Sequence, residues 1–182
     1  MSSRRNFQKQ GTVAKRTLLC GTVLTLQVPL IECHMDSCFA FASVEGVTMN
    51  LMDVNSILSG AEEIKGKCAK VDALYNIAGV LTSNYTKSEQ GFESHYAVNL
   101  LANYVLITSL LPCLMRTTSD TEQAAMVVTM SSGAINSVGS AKALDVPTLP
   151  NPEKVGGLMG AYAKTKFAVT AMFAALADEY KS

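Results

Sequence analysis

The stretch 160–169, GAYAKTKFAV, sets a tyrosine and a lysine four positions apart, Tyr162 and Lys166, at the head of an apolar run. At helical spacing such side chains are neighbours on one face. A cation close to a phenol favours phenolate over phenol, and a phenol tuned in that way serves as a general acid or base. Tyr162, Lys166, Val169, Phe173, Leu176 and Tyr180 alternate spacings of four and three, which makes them one stripe of a helix predicted from residue 161 to the C-terminus. A lysine inside an apolar stripe is uncommon, because a buried ammonium needs a partner. The bland alternative is a tyrosine packed at the helix start and a lysine that snorkels to water. Taken alone the motif is weak, and the bland alternative is ahead.

The elements that must position this pair follow a regular pattern from residue 46 onward. GVTMNLMDV (46–54) reads as a strand ending at Asp53, and NSILSGAEEIKGK (55–67) as a short helix with Asn55 or Ser56 as its N-cap. VDALYNIAGV (71–80) reads as a second strand running into a glycine turn, and residues 91–114 as a long helix buried on more than one side. AAMVVTMSS (124–132) is a continuous apolar run, as expected of a parallel strand covered on both faces. A loop fills 133–160. Strands alternating with helices predict an α/β fold with a Rossmann-like doubly wound parallel sheet. Ligands of such sheets bind beyond the carboxyl ends of the strands. Asp53, Asn76 to Gly79 and Ser131–Ser132 all fall at predicted strand ends.

Bulk properties narrow the classes. The chain has 182 residues, 48% of them hydrophobic and 16% charged, which suits one domain with a sizeable core. Fifteen basic residues balance fifteen acidic ones, so no electrostatic footprint for nucleic acid exists. The five cysteines are odd in number and scattered, and are expected as reduced thiols of an intracellular, cytoplasmic chain. ECHMDSC (32–38) gathers Cys33, His34, Asp36 and Cys38, but no second ligand pair follows at zinc-site spacing, and no metal is expected. NYT (84–86) matches a glycosylation sequon, relevant only to a secreted chain.

Residues 1–31 are ambiguous. Arg4, Arg5, Lys9, Lys15 and Arg16 precede the apolar 17–31, a layout shared by signal peptides and short membrane anchors. The apolar part is short for a membrane span, and Pro29 interrupts a helix. Its Thr, Val and Leu fit a buried strand pair, which is preferred here over a targeting or membrane segment.

VDALYNIAG, HYAVNLLANYVLITSLLP, MVVTMSSGA and YAKTKFAV occur in the order and approximate spacing of the short-chain dehydrogenase/reductase family, which residues 46–182 resemble. The combination is far more specific than any one motif. The resemblance implies a hydride transfer between NADP or NAD and a small-molecule alcohol or carbonyl. It implies that Tyr162 moves the proton, that Lys166 supports it and meets the nicotinamide ribose, that Ser132 polarises the substrate carbonyl, and that Asn99 orders a relay water. Asp53 would meet the adenine amino group, while Asn76, Ala78 and Gly79 would line the cofactor cleft. Pairing of two copies through the helices at 91–114 and 161–181 is a further implication. The bland alternatives are a loop-capping Ser132, a satisfied buried Asn99 and a helix-capping Asp53.

Several departures accompany the resemblance. The family's paired asparagines appear as Asn76–Ile77, and Ala102 stands where glycine is common. The long segment between Ser132 and Tyr162 is more like that of retinol- and steroid-active branches, which implies a lipophilic substrate. The family's first strand leads into a T-G-x-x-x-G-x-G turn whose glycines admit the cofactor pyrophosphate. Here Gly21 follows a candidate strand, but Thr25 and Gln27 stand where the next two glycines belong; GGLMG (156–160) follows a loop instead. The expectation is therefore a single domain, residues 1–182, atypical over 1–45 and with a sheet incomplete at both ends. Residues 17–31 and 38–43 are the candidates for substitute strands. A catalytically impaired variant acting through interactions is the alternative to an active enzyme.

Overall fold

The computed structural model describes residues 15–20, 30–33, 43–121, 124–140 and 156–180. His34, Asp36 and Cys38 of the candidate metal cluster, Thr25 and Gln27, and most of the 133–160 loop lie outside these residues. The strands are β1 (Lys15–Cys20), β2 (Leu30–Cys33), β3 (Ser43–Glu45), β4 (Ala73–Asn76) and β5 (Met126–Thr129). The helices are α1 (Val54–Lys67), α2 (Ala102–Thr121) and α3 (Gly157–Glu179). A π-helical turn, Tyr96–Leu101, leads into α2, and a 3-10 turn, Gly133–Ser137, follows β5.

The five strands form one sheet in the order β3-β2-β1-β4-β5. β1, β4 and β5 are parallel, with Leu18 opposite Leu74 and Leu74 opposite Val127. β2 runs antiparallel to β1, and β3 antiparallel to β2. The segment 17–31 thus supplies strand backbone to the sheet at both its ends. Of 38–43, only Ser43 is described, as the first residue of β3.

The core explains the layering. Side chains alternate across a strand, so the in-register Leu74 and Val127 share one face of the sheet. That face carries Ile57, Ala61 and Ile64 from α1 and Val98, Leu106, Leu110 and Leu114 from the helix running into α2. Met172, Phe173 and Leu176 of α3 pack against the same cluster. The central residues of the predicted α3 stripe are therefore inward: Lys166 and Val169 are buried, whereas Tyr180 is exposed. The stretch Tyr96–Ser119 is long and apolar enough to cross a membrane, and its buried residues are this core.

Three expectations are corrected. The segment 46–54 is not a strand. β3 ends at Glu45, paired with Leu30, and further on the backbone is taken up in a turn, with Asp53 N donating to Asn50 O and Met52 N to Asn50 Oδ1, both at 3.0 Å. Val47, Met49 and Leu51 still alternate inward, and Met49 fills the slot left by Gly60, where a Cβ would stand 2.4 Å from Met49 Cγ. The cap of α1 is Asp53 rather than Asn55 or Ser56: its Oδ1 accepts from Asn55 N at 3.0 Å. Finally, β5 is not covered on both faces. Among the described strands it lies at the edge of the sheet, with Met126 44% and Val128 37% exposed on the side away from the helices. Among the described residues all three helices cover the Leu74–Val127 face, one side of a doubly wound plan.

Candidate active site

The turn leaving β4 passes between the start of the helix into α2 and the start of α3, and it is held from both sides. Asn99, fully buried in the π-helical turn, accepts from Val80 N at 2.8 Å and donates to Val80 O at 3.0 Å. Its Nδ2 also reaches Thr165 Oγ1 of α3 at 3.5 Å. A π-helical turn leaves carbonyls out of the usual ladder, and Asn103 Nδ2 donates to one of them, Asn99 O, at 2.9 Å.

Lys166 is 4% exposed, and its Nζ donates to Met130 O, just beyond β5, at 2.8 Å. Burial pushes its ammonium below the usual lysine range. Gly79 is the point where these groups converge. A Cβ built on it would lie 3.0 Å from Lys166 Nζ and 3.1 Å from Asn99 Oδ1. A glycine is required here for close approach, since any side chain would displace the ammonium or the amide. Ala78 beside it is buried.

Tyr162 lies one helical turn before Lys166 and meets the His95 ring in a T-shaped contact, with ring centroids 6.1 Å apart and planes at 71°. His95 and its neighbour Glu93 have no solvent exposure, and neither was singled out by its spacing. Nδ1 of His95 meets Glu93 Oε1 at 2.7 Å, and Thr82 N donates to its Nε2 at 3.2 Å. Ser94 Oγ donates to Glu93 Oε1 and Tyr96 N to Oε2. Burial pushes the Glu93 carboxyl upward, but the hydrogen bonds from His95 and Tyr96 outweigh it and hold the carboxyl below its ordinary 4.5.

The remaining sequence-predicted residues are placed at strand ends and caps. Asn76 closes β4, is 2% exposed, and neither Oδ1 nor Nδ2 of its amide has a hydrogen-bond partner among the described residues. Such an orphaned buried amide is uncommon and gives the strand end unused hydrogen-bonding capacity. Ser132 caps the 3-10 turn by accepting from Ala134 N at 3.2 Å, and Ser131 Oγ ties the end of β5 to Thr170 of α3 at 2.8 Å. Asp53 caps α1 and accepts from Gln90 Nε2 at 2.7 Å, which joins the loop before α2 to the α1 N-terminus. Ser132 and Asp53 thus make the contacts of their bland alternatives. Lys166, Asn99 and Gly79 meet at one point, and Tyr162, one helical turn before Lys166, packs on His95 beside it.

A family model described as short chain dehydrogenase matches residues 30–143, more than half of the chain. Among curated proteins, a short-chain dehydrogenase/reductase of Aspergillus calidoustus, drtF, is 38% identical over 76 residues, which are 42% of this chain and 24% of that protein. Mouse retinol dehydrogenase 12 is 38% identical over 63 residues, 35% of this chain and 20% of that protein. Among solved structures, an NADH-dependent reductase complexed with NAD superposes with a TM-score of 0.56 at 14% identity, over 72% of this chain and 49% of that one. RhlG of Pseudomonas aeruginosa, solved with NADP, superposes with a TM-score of 0.51 at 24% identity, over 72% of this chain and 45% of that one. These superpositions show the fold. The matches span less than half the length of each of these relatives.

Proposed function

The chain belongs to the short-chain dehydrogenase family, and on that premise we propose that it transfers a hydride between NADP or NAD and an alcohol or carbonyl, with Tyr162 moving the proton. The observation that carries this reading is the convergence of Lys166 Nζ and Asn99 Oδ1 on Gly79, one helical turn from Tyr162. In the reducing direction the substrate carbon takes the hydride and its oxygen takes the phenol proton of Tyr162. The Lys166 ammonium favours the phenolate that remains. Ser132 polarises the substrate carbonyl once its hydroxyl turns from Ala134 N. Asn99, whose amide is committed to Val80, serves the relay by fixing the turn.

The residues present fit the nicotinamide end of the cofactor. Gly79 leaves room beside the Lys166 ammonium, and the orphaned Asn76 amide offers a donor and an acceptor at the same strand end. When bound, the dinucleotide supplies the hydride. Lys166, Tyr162, Asn76, Ala78 and Gly79 would hold it there, with Asp53 towards the adenine. A lipophilic substrate is supported by the long segment before α3 and by the likeness to retinol dehydrogenase 12. The buried thiol of Cys113 supports an intracellular, cytoplasmic setting, and the exposed Tyr104 and Met115 of α2 support pairing of two copies along that helix.

A second reading, an interaction protein that holds cofactor poorly, is favoured by Thr25 and Gln27 standing where a pyrophosphate turn needs glycines. Titration of the purified chain with NADPH and NADH, read by calorimetry, separates the two. Saturable binding, followed by turnover that Tyr162→Phe abolishes with cofactor affinity kept, supports the enzyme. Absence of binding to both dinucleotides sinks it, and equal turnover in Tyr162→Phe removes the tyrosine from its role.

A further inference from the structure

Two pairs of side chains, each pair four residues apart, face one another across the turn 78–82. His95 and Asn99 come from the helix running into α2, Tyr162 and Lys166 from α3. At one end Asn99 and Lys166 meet at Gly79. At the other, His95 meets Tyr162 edge to face. The imidazole is specified at both nitrogens. Thr82 N donates to Nε2, so that nitrogen carries a lone pair, and the ring proton therefore sits on Nδ1 and is donated to Glu93.

We propose that His95, locked as the neutral Nδ1–H tautomer by Glu93, is the positioning residue for Tyr162 in the proton transfer proposed above. The kinetic consequence rests on that reading; the placement does not. An apolar ring would fill the same volume without desolvating a carboxylate. What the pair adds is direction, because two hydrogen bonds of set geometry fix the ring plane where a packed phenyl ring is free to tilt. The ring plane sets the angle at which the imidazole meets the Tyr162 ring, and the Thr82 bond joins the imidazole to the same turn that Asn99 holds at Val80. A tilt of His95 is therefore felt at Tyr162 and at the turn together.

The test uses the full chain with His95→Phe, which keeps an aromatic ring and loses both hydrogen bonds, and His95→Gln, which keeps an acceptor for Thr82 N. Misplacement of a reacting group by about 1 Å costs on the order of a hundredfold in rate. His95→Phe is expected to lower kcat by about tenfold to a hundredfold, with dinucleotide Kd unchanged and with partial recovery in His95→Gln. Unchanged kcat in His95→Phe overturns the proposal, as does a loss of kcat that only follows a loss of dinucleotide affinity. If the wild-type chain shows no turnover, the oxidoreductase reading falls by itself and magnetic resonance decides the placement. The imidazole nitrogens of His95, told from those of His34 by difference with the variant, should show a protonated Nδ1 and a bare Nε2. The ring resonances of Tyr162 should shift in His95→Phe, or in His95→Gln if the former does not fold. A protonated Nε2 with bare Nδ1, or a Tyr162 signal that ignores the substitution, refutes the proposal.

Discussion

Gly79 carries the tightest constraint of the site, because the hydrogen in place of its side chain lets an ammonium and an amide oxygen approach the same point. Gly79→Ala puts a carbon about 3 Å from both Lys166 Nζ and Asn99 Oδ1. Overpacking of this kind costs about 1–3 kcal/mol, so the variant should unfold at lower denaturant concentration and lose dinucleotide binding, measured on one preparation. Retained stability and binding would show that Lys166 relaxes freely. Lys166 itself has a signature in alkali. Burial holds its folded pKa below 10.5, so the folded chain gives up this proton earlier than the unfolded chain. Between the folded value and 10.5 the unfolded state binds more protons, and stability gains with rising pH; below that window the full cost of burying the ammonium remains. Denaturant unfolding of wild type and Lys166→Met across alkaline pH isolates the effect, since other titrating groups cancel in the difference. The stability of wild type relative to Lys166→Met should rise with pH through the window, and a flat difference refutes it. Glu93 has the opposite sense. Its folded pKa lies below 4.5, so its contribution is present above 4.5 and is lost as pH falls through the folded value. Glu93→Gln should unfold with a shallower acid dependence than wild type.

At the scale of elements, α1 shows how a single side chain sets a boundary. Asp53 Oδ1 caps the helix and also receives Gln90 Nε2, so Asp53→Ala removes a cap and a tie to the loop before α2. Loss of such a cap costs about 0.5–2 kcal/mol; the unfolding midpoint should fall accordingly, while Asp53→Asn, which keeps an acceptor, should retain most of it. The α3 stripe and the helix of α1 were legible because their buried residues recur at helical spacing. The strand expected at 46–54 was not formed, although its alternation is genuine at Val47, Met49 and Leu51. Alternation reports which side chains are inward, whereas a strand also needs backbone groups free for a ladder, and here those of Met52 and Asp53 are spent on the turn at Asn50. The run 124–132 announced burial by composition, but which helices cover each face is a property of topology and cannot be read locally. Tyr162, Lys166 and Asn99 were legible because their residue types at that spacing match a motif. Glu93 and His95 were not, since a buried carboxylate and imidazole in an apolar helix start have no periodicity, and the π-helical turn that presents Asn99 has no signal of its own.

For the whole molecule, the asymmetry of the sheet has the largest physical consequence. The core joins α1, α2 and α3 to the face of Leu74 and Val127, while Met126 and Val128 on the other face are exposed, as is Met130 just beyond the strand at 52%. The same strand is the edge of the sheet, so its outer backbone groups have no ladder partner among the described strands. An apolar face next to an open edge is the arrangement that binds hydrophobic dyes and that recruits further strands. The folded chain should therefore enhance the fluorescence of an anilinonaphthalene dye before any unfolding transition, and should self-associate as its concentration rises. A double variant, Met126→Ser with Val128→Thr, should reduce both. Because these side chains are exposed and away from the core cluster, its stability should stay within about 0.5 kcal/mol of wild type. Sedimentation and dye titration on the two proteins decide the matter. Equal dye binding in wild type and variant would locate the sticky surface elsewhere, with the exposed Tyr104 and Met115 of α2 the next to replace. A variant that loses self-association but keeps dye binding would show that the open edge of β5, and not its apolar face, draws the copies together.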